Sequence, residues 1–335
     1  MKLIIQIPCF NEADTLEIAL NDLPRHIEGI DVIEYLIIND GSNDNTEEIA
    51  KAWGVHHVVH FKRNLGLARG FLAGIDLALR NGADIIVNTD ADNQYYGEDI
   101  EKLVRPILNK EADIVIGERP IDKIETFSWL KKKLQHFGSM VVRKASRTDI
   151  PDAPSGFRAY SRKAAMRINV HNEYTYTLET IVQAGRNKMA ITSVPIRTNP
   201  ELRKSKLMNT IFGYVKKSML TIVRAVLMYR PLMFFTLFAI ICISIGVLIG
   251  IRFLVFYFQG DGGGHVQSLI LATMMIIIGC QTFVTGLQAD IISANRKLLE
   301  DIQFRVKKLE FGLLDAEGDM REKEDIERRD EGEGD

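Results

Sequence analysis

The sequence predicts an α/β domain with a mainly parallel central sheet, followed by interfacial helices and two transmembrane helices. Three observations lead there. Up to about Asn199, short β-rich runs alternate with helical patterns, as βαβ units do. Those runs stop at polar or glycine-rich segments, where open α/β sheets place their ligands. Two uncharged stretches closer to the C-terminus are each long enough to cross a bilayer core of about 30 Å as a helix.

Strands are expected at Leu3–Ile7, Tyr35–Ile38, His57–Phe61, Ile85–Thr89 and Ile114–Ile116. Helices are expected near Asp14–Leu23, Thr46–Trp53, Ala68–Asn81 and Glu98–Asn109. The Thr46 helix has a visible start, with Asp44 or Asn45 as its cap and Glu47 and Glu48 in its first turn. After each strand the chain reads PCFNE, NDGSNDNT, KRNLGLARG, TDADNQ and GER.

The first apolar stretch, Leu232 to Ile251, is twenty residues without a charge, and the second runs from about Ser268 to Leu287. A buried core helix is the competing reading. Two such segments side by side, joined by a glycine-rich loop, favour a membrane hairpin. Arg203, Lys204, Lys206, Lys216, Lys217, Arg224 and Arg230 precede it, and Arg296, Lys297, Arg305, Lys307 and Lys308 follow it, while the loop carries no Lys or Arg. The positive-inside rule then places both ends in the cytoplasm. Met1-Lys2 leads straight into an apolar strand, so no signal peptide is expected. The three cysteines, Cys9, Cys242 and Cys280, lack metal-ligand spacing and read as small apolar residues. A net charge of −2 gives no reason to expect nucleic-acid binding.

The expected organisation is a cytosolic α/β domain over 1–206, an amphipathic interfacial helix over 207–230 and a transmembrane hairpin over 231–289, with spans at about 232–256 and 268–288. A cytosolic helix over 290–314 and a charged, disordered tail over 315–335 complete it. Met208, Ile211, Phe212, Val215, Met219 and Ile222 fall at helical spacing in the interfacial segment. Lys123 to Arg147 is basic and amphipathic, and reads either as a solvated surface helix or as one lying on an anionic membrane. In 290–314, Leu298, Ile302 and Leu309 have short heptad-like spacing, which fits oligomer contacts or packing on the chain's own domain.

Asp90 and Asp92, one residue apart at a strand end, can both turn toward one hard cation, with Gln94 as a further oxygen donor. Asn39-Asp40-Gly41-Ser42 offers a carboxylate to ribose or base beside a tight glycine turn. A dinucleotide dehydrogenase also carries an acidic residue after its second strand. Here the first βα turn, Pro8-Cys9-Phe10-Asn11-Glu12, has no glycine, so the pyrophosphate fingerprint of that class is absent.

IPCFNEADTL, IINDGSNDNT, NLGLARGFLAGIDLAL, DADNQYYGEDI, DIVIGER and DAPSGFRAYSR occur in the order and spacing of family 2 glycosyltransferases. The chain most resembles their polyprenyl-phosphate (dolichyl-phosphate) hexosyltransferase branch, over about Lys2 to Leu207 and in the membrane hairpin. The resemblance implies a GT-A fold and a metal-dependent, inverting transfer of a hexose from a UDP- or GDP-linked sugar to a polyprenyl phosphate, with Mg²⁺ or Mn²⁺. It implies nucleotide-sugar contacts from Pro8, Asn11, Glu12, Asp40, Asp90, Ala91, Asp92 and Gln94, with the metal at Asp90, Asp92 and Gln94. It implies acceptor-phosphate binding by Arg119, Ser155, Arg158, Arg203, Lys204 and Lys206. Catalytic roles fall to Asp92, Arg119, Arg158 and Asp152, the last as base or orienting group, with structural salt bridging as its competing reading. Asn39 departs from the Asp usual there, which leaves base recognition open.

The implied protein is integral to a prokaryotic cell membrane, with its donor, its lipid acceptor and self-association as its partnerships. A transferase extending a glycolipid or polysaccharide is the second enzyme reading, weakened because processive members need several spans. A non-catalytic membrane scaffold is the third, weakened because it has no need of an acidic metal site beside basic phosphate ligands.

Overall fold

A computed structural model describes residues 1–120, 138–140, 142–143, 146, 148–170, 176–200, 231–260, 263 and 266–332, with side chains to 313. The chain divides into two units, Met1–Ser218 with Glu300–Asp335, and Met219–Leu299.

The first unit is built on a seven-stranded sheet in the order β3-β2-β1-β4-β6-β5-β7. Its strands are β1 (Lys2–Cys9), β2 (Val32–Asn39), β3 (His57–His60), β4 (Ile85–Asn88), β5 (Ile114–Glu118), β6 (Arg158–Ser161) and β7 (Ile191–Pro195). All pair in parallel except β6, which lies antiparallel between β4 and β5. The expected mainly parallel α/β sheet is the one observed. β6 escapes a sequence reading because it is four residues long and begins with a charged residue.

Helices α1 (Leu16–Asn21), α2 (Thr46–Trp53), α3 (Leu67–Arg80), α4 (Ile100–Leu108), α5 (Arg162–Arg167) and α6 (Thr177–Arg186) complete this unit. The α2 start is fixed by Asp44, whose Oδ1 accepts from the Thr46 amide at 3.1 Å and from the Thr46 hydroxyl. Leu3, Ile5 and Ile7 pack into one core with Leu16, Leu20, Leu103 and Val104. Gly74 lets α3 lie against β1 and β2, since a Cβ there would run into Gln6 and Ile38.

β1 and β4 are the neighbours at which the strand order reverses, and ligands of open α/β sheets bind beyond the carboxyl ends of such a pair. Those ends are Cys9-Phe10-Asn11-Glu12 and Thr89-Asp90-Ala91-Asp92. Because β6 runs the opposite way, its entry, Ser155-Gly156-Phe157, arrives at the same edge.

In the second unit, α7 (Pro231–Phe258) and the first part of α8 (Val266–Gly332) are long and apolar enough to cross a membrane, with mean hydropathies of 2.8 and 1.9 over their most apolar 18-residue stretches. Only 17% of each apolar window is buried, which a core helix of a water-soluble domain would not tolerate. The two helices meet at Gly246 and Gly279. A Cβ at either would lie within 3.0 Å of an isoleucine side chain and of a backbone carbonyl on the facing helix.

α8 does not stop after the second span. It continues as one helix to Gly332, through 290–314, expected to be helical, and into the charged segment from 315, expected to be disordered. That tail is rich in Glu, Lys, Arg and Asp, contains no proline, and its Glu, Lys and Arg are strong helix formers. The interfacial segment 207–230 and most of 123–147 lie outside the described residues.

Candidate active site

Three strand-end loops meet at the β1/β4 edge. The first is tied to the second. Asn11 adopts a left-handed backbone, φ 55°, a conformation that asparagine accepts more readily than most residues. Its side-chain oxygen accepts from the Asn43 amide at 2.8 Å, while its own amide donates to the Ser42 hydroxyl at 3.0 Å. The Glu12 amide donates to the Thr46 hydroxyl at 2.9 Å, and the Ala13 amide to Asp44 at 3.1 Å. Pro8 is a β1 residue in register with Ile38.

Asp40 is buried, and its two carboxylate oxygens accept the Leu65 and Gly66 amides at 2.7 and 2.9 Å. Its first task is therefore to hold the loop before α3. Gly41 makes the turn possible, because at φ 71° a Cβ would lie 2.5 Å from the Arg63 backbone. Asn39 is also turned inward. It accepts from the Ser42 amide at 2.9 Å and donates to Glu47 at 2.9 Å. An aspartate in its place would face Glu47 as a like charge.

Asp90 leaves β4 with part of its residue surface open but its carboxyl deep among protein atoms. Burial above all, and then the neighbouring Asp92 charge, push that carboxyl from 3.8 to about 7, against the opposing pull of Arg119 and of a bond from the Tyr95 hydroxyl. Asp92 folds back so that its Oδ1 accepts the Gln94 amide at 3.1 Å, across Asn93 at φ 55°. Ala91 between them is buried.

Among the described residues no group of three or more His, Cys, Asp and Glu could hold a metal ion by itself. Two close carboxylates, one driven toward protonation in the ion's absence, still fit a Mg²⁺ or Mn²⁺ that draws its other oxygens from phosphate and water. Asp90 and Asp92 would hold it. Gln94 lies beside them through its amide bond to Asp92 and its carbonyl, which accepts from Asn199 at 2.9 Å.

Tyr95 was not singled out by sequence, although it directly follows Gln94. Its hydroxyl accepts the Gly156 amide at 3.1 Å and its ring stacks on Phe157 with centroids 4.8 Å apart. Asn88, at the end of β4, bonds Gln6 at 2.9 Å, the Gly156 carbonyl at 3.0 Å and the Tyr176 hydroxyl at 2.8 Å. A side chain at Gly156 would sit 3.1 Å from both Asp90 and the Tyr176 hydroxyl, so the glycine gives Asp90 its space.

The acceptor-side assignments need correction. Arg158 is fully buried, and its guanidinium donates to the carbonyls of Ser155, Thr177 and Ala153 and to the Thr180 hydroxyl, each at 2.7 or 2.8 Å. It is an internal brace and has no surface with which to meet a phosphate. Ser155 is fully buried too, so its hydroxyl is equally withdrawn. Asp152 is 1% exposed and grips Arg119, Nε to Oδ2 at 2.8 Å and Nη2 to Oδ1 at 2.9 Å, while the Arg119 amide adds a bond at 3.2 Å. A carboxylate bound this way fixes the orientation of the Arg119 guanidinium. Arg119 in turn keeps only one guanidinium nitrogen outside the pair, and its charge is felt at Asp90. Arg203, Lys204 and Lys206 lie outside the described residues.

The chain leading to them is fastened at the site. Arg197 binds the buried Asp99 through its amide at 2.6 Å and through Nε and Nη2 at 3.0 and 2.6 Å, and it stacks on Tyr96 at 3.7 Å. Tyr95 bridges to Thr198, and Asn199 bonds the Gln94 and Tyr95 backbone.

Residues 4–168 match the model of glycosyl transferase family 2. The uncharacterized protein MJ1222 of Methanocaldococcus jannaschii is 34% identical over 222 residues, an alignment that covers 64% of this chain and 88% of the relative. The chain belongs to glycosyltransferase family 2. Another relative of this glycosyltransferase, the UDP-N-acetylglucosamine--dolichyl-phosphate N-acetylglucosaminyltransferase of Methanococcus voltae, is 28% identical, with 62% of this chain and 90% of the relative covered. The polyprenol monophosphomannose synthase of Mycolicibacterium smegmatis is 27% identical, with 62% and 81% covered. Among solved structures, glucosyl-3-phosphoglycerate synthase from Mycobacterium tuberculosis, crystallised with Mn²⁺, UDP and phosphoglyceric acid, superposes with a TM-score of 0.53 at 17% identity, covering 68% of this chain and 77% of that one. That likeness establishes the GT-A fold.

Two predictions test this geometry. Replacing one member of a buried ion pair leaves the other charge unpaired, so Asp152→Ala should cost roughly 3–5 kcal/mol of stability, read as a lower unfolding midpoint. A catalytic base on a rigid frame would instead lose turnover with its midpoint unchanged. The second concerns pH. Between 3.8 and about 7 the folded, chelator-treated protein binds a proton at Asp90 that the unfolded chain releases. Its stability should therefore fall as pH rises through that window. Divalent-ion affinity, which needs the ionised carboxylate, should rise over the same range. Calorimetry with and without Mn²⁺ measures both.

Proposed function

We propose that this glycosyltransferase moves a hexose from a UDP- or GDP-linked sugar to a polyprenyl phosphate at the cytosolic face of a membrane, with inversion at the anomeric carbon. The observation that carries the reading is the Asp90–Asp92 pair, two close carboxylates at the switch point of a family 2 fold, one of them destabilised in the absence of a cation. The lipid side rests on the relatives that act on dolichyl or polyprenyl phosphate and on two outward-facing apolar helices.

In the reaction an oxygen of the acceptor phosphate forms the new bond to C1 of the sugar. The bond from C1 to the nucleoside diphosphate breaks, and its electron pair leaves with the diphosphate. A phosphate monoester has a second pKa of about 6, so the attacking oxygen is already anionic and needs no strong base. The engagement of Asp152 with Arg119 is consistent with that economy. A divalent ion, when bound by Asp90 and Asp92, supplies Lewis-acid neutralisation of the departing diphosphate.

The rest falls to the chain's own groups. Arg119, held in one orientation by Asp152, adds fixed positive charge near Asp90. Asn11, Glu12 and Asp40 shape the nucleoside end through the loops they join. Arg203, Lys204 and Lys206 are the acceptor-phosphate ligands.

Purified protein with Mg²⁺ or Mn²⁺ should transfer labelled sugar from one member of a UDP- and GDP-sugar panel to a polyprenyl phosphate. Asp92→Ala should lower transfer by ~10²-fold or more while the unfolding midpoint is kept. Unchanged turnover would remove the metal assignment, and failure with the whole panel would remove the reaction. Topology is tested separately. A cysteine at Gly263 should be labelled from outside intact cells by an impermeant maleimide, and labelling only after lysis would reverse the orientation.

A further inference from the structure

Tyr95 is fixed from three sides. Its ring lies flat on Phe157, with centroids 4.8 Å apart and planes 7° from parallel. Its carbonyl accepts from the Asn199 side chain at 3.3 Å, and the residue bridges to Thr198. Immediately before it, the Gln94 carbonyl accepts the Asn199 amide at 2.9 Å. The side chain is buried, so its hydroxyl stands at one place and cannot turn to water.

A tyrosine hydroxyl has an oxygen that accepts and a proton to give, and a buried one gives it to an acceptor in the protein. The oxygen is already used, because it accepts the Gly156 amide at 3.1 Å. Gly156 also adjoins the acceptor. A Cβ on that glycine would lie 3.1 and 3.3 Å from the two carboxylate oxygens of Asp90. The glycine thus lets the hydroxyl and the carboxylate meet, and the bond between them favours the ionised form of Asp90 against burial and the Asp92 charge. Arg119 supplies charge at this carboxylate, whereas Tyr95 supplies direction.

We propose that Tyr95 is a positioning residue for the divalent-ion site: its hydroxyl, fixed by Gly156 and by the Phe157 stack, holds one oxygen of Asp90 and leaves the other turned to the ion. The inference rests on the metal reading of Asp90 and Asp92. Without that bond the carboxylate can rotate, and part of its binding free energy goes into ordering it. Partners that orient a metal ligand in this way are worth ~10–100-fold in ion affinity. A purely structural Tyr95 would instead pin the loop after β4 to the entry of β6. Its loss would be felt in stability and not in the ion affinity of the folded protein.

The test uses the purified, chelator-treated full chain with Mn²⁺ as the probe, bound ion being read by water-proton relaxation. Tyr95→Phe keeps the ring and its stack and removes one oxygen. Its folded form should bind Mn²⁺ ~10-fold or more weakly than the wild type. An affinity within about twofold of wild type, whatever the unfolding midpoint, overturns the proposal.

A second pair of proteins decides the matter if Tyr95→Phe does not fold. Asp90→Asn removes the carboxylate through which Tyr95 acts, together with the charge that is costly to bury. Asp90→Asn and Asp90→Asn/Tyr95→Phe should therefore bind Mn²⁺ equally through what remains. A further ~10-fold loss in the double variant means that Tyr95 acts by another route, and overturns the proposal.

The wild type separates this inference from the reaction it serves. Mn²⁺ binding without sugar transfer to polyprenyl phosphate removes the proposed reaction and leaves Tyr95 to be judged by the two comparisons. No Mn²⁺ binding, with UDP or GDP absent or present, removes the metal assignment and the role of Tyr95 together.

Discussion

Arg158 is a cation with no access to water, and the protein tolerates it only because the chain bends around it. A guanidinium in the interior must be hydrogen-bonded on nearly every edge. Here the carbonyls of Ala153, Ser155 and Thr177 and the Thr180 hydroxyl meet that demand. In doing so they set the path of 153–157 and join it to the start of α6. β6, which opens on Arg158, can then run antiparallel between β4 and β5 and bring Gly156 to the carboxyl end of β4. Asn88 closes the joint by binding the Gly156 carbonyl and the Tyr176 hydroxyl. The space around Asp90 depends on this brace.

The charges around that space fall into two kinds. Arg158, Asp152, Asp40 and Asp99 are buried and bound to fixed partners, so their work is to hold loops. At this edge burial first, and then the neighbouring Asp92 charge, disfavour the ionised form of Asp90, and a carboxyl held that way marks a place for a ligand. A transfer to an already anionic phosphate asks little of a base and much of whatever neutralises the leaving group. The arrangement follows that demand, with rigid ion pairs around a polar pair left under strain.

The apolar helices obey a different solvent. α7 and the first part of α8 bring backbones together at Gly246 and Gly279 and turn most of their apolar side chains outward. Farther along, α8 covers its own domain with Phe304, Lys307 and Phe311 and leaves Ile302, Val306, Leu309 and Leu313 exposed on its opposite side.

Much of this was legible in the sequence for physical reasons. Alternation of β-rich and helical runs located five of the seven strands, because buried parallel strands are continuous apolar stretches that end abruptly in polar loops. The same abruptness drew attention to Asp90, Asp92 and Asp40 at strand ends, and unbroken apolar length drew attention to the two spans. What a linear reading does not contain is the inward or outward sense of a polar side chain. Arg158 and Ser155 read as ligands for an anion, and Asp152 as a base or orienting group, because a charged or hydroxylated motif near a site looks alike whether it faces solvent or core. β6 was invisible for the same reason, since an arginine-led tetrapeptide becomes a central strand only once tertiary contacts satisfy its charge. The helix beyond the second span gave two readings on one pattern, and only the folded domain shows that its faces are divided between packing and exposure. Sequence determined which groups are available and where the chain must turn. Tertiary structure decided which of them are already used, because hydrogen bonds to a buried charge come from residues that only the fold brings together.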